Sequence, residues 1–231
     1  MKKWMWGLVG MALAASVVAA SAQEVLSANT IGYIKKELPP GGKMISLTVP
    51  LFSMTEGSNV FGRTSFAQEA PSGSAVYFWD EALQKWGGGA KGTKGWNTLQ
   101  SNYVIKAGEG FFLKSPTTSV VATEITVAGE VPALASQTRT VMGAANLGTV
   151  GNPYPADFKF GESDLAKNAA NGSAVYFWDE ELQKWGGGAK GTKGWNTLQS
   201  NYVVKATEGF FLKTSNATSW VWTNAKPYTW P

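Results

Sequence analysis

The sequence predicts an all-β fold built as two tandem, homologous β-sandwich-like modules, and three observations carry that reading. A 42-residue block occurs twice, at 73–114 and again at 172–213, with 39 of 42 positions identical and an offset of 99 residues. Short apolar and aromatic runs alternate with glycine and proline turns, the signature of many short strands. Helix-period patterning is almost absent, with one marginal stretch at 162–170. A repeat on this scale sets the architecture before any residue is given a role, because each copy is one structural unit.

The chain opens with Lys2-Lys3, an apolar run from Trp4 to Ala20, and Ala20-Ser21-Ala22. A basic start, an apolar core and an A-x-A site describe a secretory signal peptide over 1–22. The competing reading is a short uncleaved anchor, since about 20 apolar residues can span a bilayer. The first module is expected over 23–127 and the second over 128–231. Thr30, Ile31, Tyr33 and Ile34 suit a strand. Pro39-Pro40-Gly41-Gly42 must then turn the chain. Residues 44–49 alternate with a period of two and form a second strand, which Pro50 ends or places at an edge. From Phe52 to Ser72 the pattern is weak and reads as a loop with room for one helical turn.

Inside the block, Val76 and Phe78 point to one face of a strand while Ala75, Tyr77 and Trp79 point to the other. Both faces are apolar, so the strand is either covered twice or keeps one exposed aromatic side. Asp80 to Gln84 reverses the chain and Lys85-Trp86 begins the return of a hairpin. The run GGGAKGTKG at 87–95 holds five glycines, which make regular structure costly, and reads as a loop. Residues 103–106 and 111–114 then read as paired strands around a Gly-Glu-Gly turn. Strands are also expected over 120–127 and 220–222, and a short helix at 162–170 with Ser163 as its cap.

Composition narrows the chemistry. The formal net charge is +4 and falls to +2 once Lys2 and Lys3 are removed with the signal peptide. That gives no electrostatic case for nucleic acid as a partner. With no cysteine there are no disulfides, thiolate metal sites or cysteine nucleophiles, and with no histidine the commonest general base and metal ligand is missing. No cofactor is expected, and after cleavage no later segment is apolar and long enough to cross a membrane.

The lead NTIGYIKKELPPGGKMISLTVPL, the motif GNPYP at 151–155, the YFWD hairpins and the GEGFFLK and TEGFFLK strands together resemble a set of uncharacterised bacterial secreted proteins. Those are repeated β-modules with the loose pattern NPYP, YxWD and GxGFFxK. The first module departs from it with Val49-Pro50-Leu51 in place of NPYP, and the second with Thr207 where glycine is usual. The resemblance implies a secreted, non-enzymatic β-sandwich-like protein at the cell surface or beyond. It transfers no catalytic or binding residue.

Three kinds of chemistry compete for the remaining residues. The glycine run lacks the Lys-Ser/Thr pair and the following helix of a phosphate-binding loop, so a surface loop is the default. Asp80, Glu81 and Glu109, with Asp179, Glu180 and Glu208, would be the carboxylates of a glycoside hydrolase. Their turn positions favour solvated or self-bonded side chains. The tryptophans carry the third possibility. Trp86 and Trp96, repeated as Trp185 and Trp195, border the polar glycine run and can stack on sugar faces. Asn97, Gln100 and Asn102, with Asn196, Gln199 and Asn201, would take the hydroxyl groups. The competing assignment is core packing, since aromatic rings bury large areas in small β-modules.

The function expected from these residues is therefore that of an exported, non-catalytic structural or adhesive protein of the bacterial envelope or exterior. The alternative is a carbohydrate-binding protein with one aromatic site per module. Polysaccharide or another surface protein is the expected partner, and near-identical tandem strands leave oligomers open through swapping.

Overall fold

The computed structural model describes residues 30–51 and 59–229. The expected signal peptide lies outside the described residues, as do the first positions of the expected first module. In the first half the strands are β1 (Ile31–Leu38), β2 (Met44–Leu47), β3 (Ala75–Asp80), β4 (Lys85–Ala90), β5 (Phe111–Lys114) and β6 (Thr123–Glu130). The second half holds β7 (Ser136–Val141), β8 (Leu147–Gly151), β9 (Phe158–Lys159), β10 (Ala174–Asp179) and β11 (Lys184–Ala189), then β12 (Val203–Val204), β13 (Gly209–Lys213) and β14 (Trp220–Ala225). Among the described residues four short α-helices intervene: α1 (Ser65–Glu69), α2 (Thr98–Ser101), α3 (Asp164–Asn168) and α4 (Thr197–Ser200). The fold is all-β and sandwich-like.

Strand order repeats along the chain. One four-stranded antiparallel sheet runs β2-β5-β3-β4, and the other runs β8-β13-β10-β11. A two-stranded ribbon accompanies each, β1 with β6 and β7 with β14. β6 continues through the expected boundary at 127/128 to Glu130, and the next strand starts at Ser136.

Alternation along each strand assigns the two faces of each sheet. Ile45, Leu47, Val76, Phe78, Phe111 and Leu113 point into one core, roofed by α1 and the β1–β6 ribbon. Val150, Val175, Phe177, Phe210 and Leu212 do the same in the second half. The opposite faces, carrying Met44, Tyr77, Trp79 and Phe112 from one sheet and Leu147, Trp178 and Phe211 from the other, meet as a third cluster. Both faces of β3 and β10 are thus apolar because both are covered, one by their own half and one by the other.

Local chemistry explains most of the turns. Asp80 Oδ1 accepts the amides of Ala82 and Leu83, and Asp179 repeats this with Glu181 and Leu182. Ser163 caps α3 by accepting from the Ala166 amide, and Thr64 caps α1 in the same way.

Two expectations need correction. The glycine run is not a loop throughout, since Gly87, Gly88 and Gly89 lie in β4 opposite Phe78, Tyr77 and Val76. Missing side chains are what allow it. A Cβ on Gly88 would stand 2.0 Å from the Val76 carbonyl oxygen, and one on Gly89 2.9 Å from the Gln100 side chain. Residues 103–106 are no continuous strand either; the first half has only a Val60–Val104 bridge, and the second the two-residue β12. Tyr103 is instead stacked on Phe78, ring centres 3.8 Å apart.

Candidate functional site

Each β-hairpin tip reaches across to the opposite half. Gln84 and Gln183, at the tips, hold left-handed φ values of 50° and 51°. The Gln84 amide then mimics a strand neighbour: its Nε2 donates to the Leu147 carbonyl at 2.9 Å and its Oε1 accepts the Leu147 amide at 2.9 Å. Gln183 makes the same pair with Met44, at 2.9 and 2.7 Å. Trp79 Nε1 donates to Leu147 O and Trp178 Nε1 to Met44 O, both at 2.8 Å. Next to the tips, Arg139 bonds Glu81 at 2.6 Å, and Lys36 holds both oxygens of Glu180 at 2.8 Å. The junction is a pseudo-two-fold.

Two equivalent clefts open beside these salt bridges. The first, about 640 Å³, lies between the Trp79–Glu81 tip, the Gly87–Gly88 backbone and α2. The second, about 470 Å³, repeats it with Trp178–Glu180, Gly186–Gly187 and α4. Leu99 and Gln100 line the first, as Leu198 and Gln199 line the second. Each cleft carries one cation from its own half, Lys106 or Lys205, and one from the other half, Arg139 or Lys36.

Glu109 and Glu208 were expected to be solvated turn residues, yet they are 5% and 8% exposed. Each carboxylate is taken up by a tyrosine hydroxyl and a backbone amide: Glu109 by Tyr103 OH at 2.5 Å and Lys106 N at 2.9 Å. Glu208 accepts from Tyr202 OH and Lys205 N. Both partners lie within six residues of each glutamate, but only the fold buries them together, so turn position alone gave no signal for burial. Burial drives both tyrosine hydroxyls well above their ordinary range, and the neighbouring carboxylates add to it. Burial also raises Glu81, against the pull of Arg139.

Glu208 has the larger consequence, since burial pushes its carboxyl up from 4.5 to about 7. The folded chain therefore holds more protons than the unfolded chain between those values, and stability falls as pH rises through that window. The expected loss is about 3 kcal/mol from the low to the high side. Thermal unfolding at about pH 5 and about pH 8 should record this fall in the native chain. Glu208→Gln should flatten it; an unchanged slope would place the titration elsewhere.

The residues expected to bind ligand are divided by the structure. Trp86 and Trp185, 43% and 39% exposed, lie on the junction face. Trp86 packs edge-on against Phe112 and Phe211, both at 5.4 Å, and Trp185 against the same two rings at 5.4 and 5.2 Å. The two indoles line one groove of about 410 Å³ with Tyr77, Trp178, Gln183 and Lys114. Trp96 and Trp195 sit apart, packed on Phe61 and Phe160 at 5.0 Å, with Nε1 donating to Ala67 O and Ala166 O. Asn97 and Asn196 are exposed and cap α2 and α4; Asn102 and Asn201, also exposed, end those helices. The first lysine of each glycine run closes a helix as well: Lys91 Nζ donates to the carbonyls of Ala67, Gln68 and Ala70. Lys190 does so in the second half.

Among the described residues no cluster of three or more acidic side chains is arranged to hold a metal ion, and no helix is long and apolar enough to cross a membrane. No protein-family model, curated protein or solved structure matches the chain.

Proposed function

We propose that the chain is an exported, non-catalytic adhesive protein that binds polysaccharide along the aromatic groove between its halves. The observation that carries the reading is the pair of half-exposed indoles, Trp86 and Trp185, set in a single groove on the Phe112–Phe211 platform. Sugar rings present C–H faces to such indoles, and Lys114 stands beside them for hydroxyl groups. In this reading the halves share one aromatic groove, whereas the sequence suggested one aromatic site per module. A non-catalytic role is supported by the carboxylates. Asp80 holds its own turn, Glu81 is paired with Arg139, and both oxygens of Glu109 are engaged.

Affinity electrophoresis of the chain from Gln23 through gels carrying a polysaccharide panel tests the proposal. The native chain should be retarded on at least one gel, and Trp86→Ala/Trp185→Ala should weaken retention at least about tenfold, a change of about 1.4 kcal/mol. Trp96→Ala/Trp195→Ala, assessed for folding by circular dichroism, should stay retarded. Retardation unaltered by removing Trp86 and Trp185 would rule out the groove. Free migration on every gel would leave a structural role without glycan.

A further inference from the structure

We infer that the two equivalent clefts are a matched pair of subsites for neutral sugar units, the second sharing Trp178 with the aromatic groove, and that they rest on the glycan reading of that groove. Three observations converge on this ligand class.

The first is charge. Glu81 is bonded to Arg139 and Glu180 to Lys36, Glu109 and Glu208 each hold a tyrosine hydroxyl and a backbone amide, and Lys205 is bonded to Asp157, so most of the ionic groups lining the two clefts are already engaged. A strongly charged ligand would have to break these pairs. A polyol needs only their spare lone pairs and N–H groups, together with Asp80 Oδ2 or Asp179 Oδ2, whose Oδ1 partners are committed to the turn.

The second is an unmet acceptor in the same place twice. Gln100 and Gln199 are 6% and 5% exposed, and the Oε1 of each is buried with no hydrogen-bond partner. Gln100 Nε2 donates to Gly88 O at 3.0 Å, which fixes the carbonyl end of that amide as the one without a partner. A buried acceptor without a donor is costly, and a hydroxyl that reaches it once the glutamine, itself part of the cleft wall, shifts would supply one.

The third is shape. Leu99 and Leu198 are 81% and 80% exposed at the cleft rims, opposite bare glycine backbone. Large apolar side chains held in water at both equivalent positions offer a surface for the C–H face of a sugar ring. The glycines leave the facing wall open.

The test is a ¹H–¹⁵N titration of the chain from Gln23 with glucose, galactose, mannose and N-acetylglucosamine, with cationic glucosamine as the charged comparator. A neutral sugar should move the side-chain amides of Gln100 and Gln199 and the backbone signals of Gly87 and Gly186, as two saturable sites. Leu99→Ala, a change at an exposed position, should weaken the first site at least about tenfold and leave the second intact. Polysaccharide retardation without movement of the glutamine amides would overturn the paired subsites and keep the groove. Movement of the amides without retardation would keep the subsites and overturn the groove, and neither response would overturn both. Tighter binding of glucosamine than of any neutral sugar would overturn the assigned ligand class.

Discussion

Phe112→Ala is expected to destabilise the protein by about 3–5 kcal/mol, the range for emptying a buried phenylalanine site. Phe112 is 1% exposed and meets four aromatic rings, Trp86, Trp178, Trp185 and Phe211, at centre distances of 5.4, 5.9, 5.4 and 6.3 Å. Three of those four belong to the other half. The cavity would therefore open at the junction, where neither half alone can close it. Urea unfolding followed by tryptophan fluorescence measures the loss. Phe211→Ala should cost a similar amount, and the double variant should fall short of the sum, because the two rings face each other and share one cavity. A loss below about 1 kcal/mol for Phe112→Ala would mean that the two sheets are held together by something other than this cluster.

The second large effect separates two adjacent glycines. A Cβ on Gly187 would lie 2.0 Å from the carbonyl oxygen of Val175, and its φ of 155° disfavours any L side chain. The obstacle is backbone of the paired strand, so no rotamer change relieves it, and β11 would have to move off β10. Gly187→Ala should cost at least about 1–3 kcal/mol, the usual penalty of overpacking. Gly186, one residue earlier in the same strand, has nothing within 4 Å of its Cβ position, so Gly186→Ala should change stability by less than about 0.5 kcal/mol. Differential scanning calorimetry of the two variants decides the point. Equal melting temperatures would refute the close approach.

Much of this fold was readable from local pattern. The alternation of Val76 and Phe78 with Tyr77 and Trp79 placed a strand, Asp80 marked the reversal, and Ser163 marked the start of α3. The candidate site was readable only in part. Trp86 and Trp185 could be named from their position beside a polar run, but nothing local distinguished them from Trp96 and Trp195. That distinction rests on Phe61 and Phe160, which engage one pair of indoles from outside the block. The run of five glycines misled because glycine's weak strand preference is local, whereas the need for bare backbone opposite Val76 O and Gln100 is a matter of packing. Glu109 and Glu208 misled in the opposite sense, polar turn residues drawn inside by tyrosines six positions earlier.

By itself the sequence determined that the chain is all-β, where it turns, and which side chains share a strand face, because these follow from steric preferences within a few residues. Only the tertiary structure decided which aromatic face stays wet and which residues form the clefts. The partners of Trp79 and Trp178 lie 68 and 134 positions away, at Leu147 and Met44, and those of Glu81 and Glu180 at Arg139 and Lys36. A side chain's burial depends on what the rest of the chain lays over it, and two nearly identical blocks laid face to face hide most of the aromatic surface that either would expose alone.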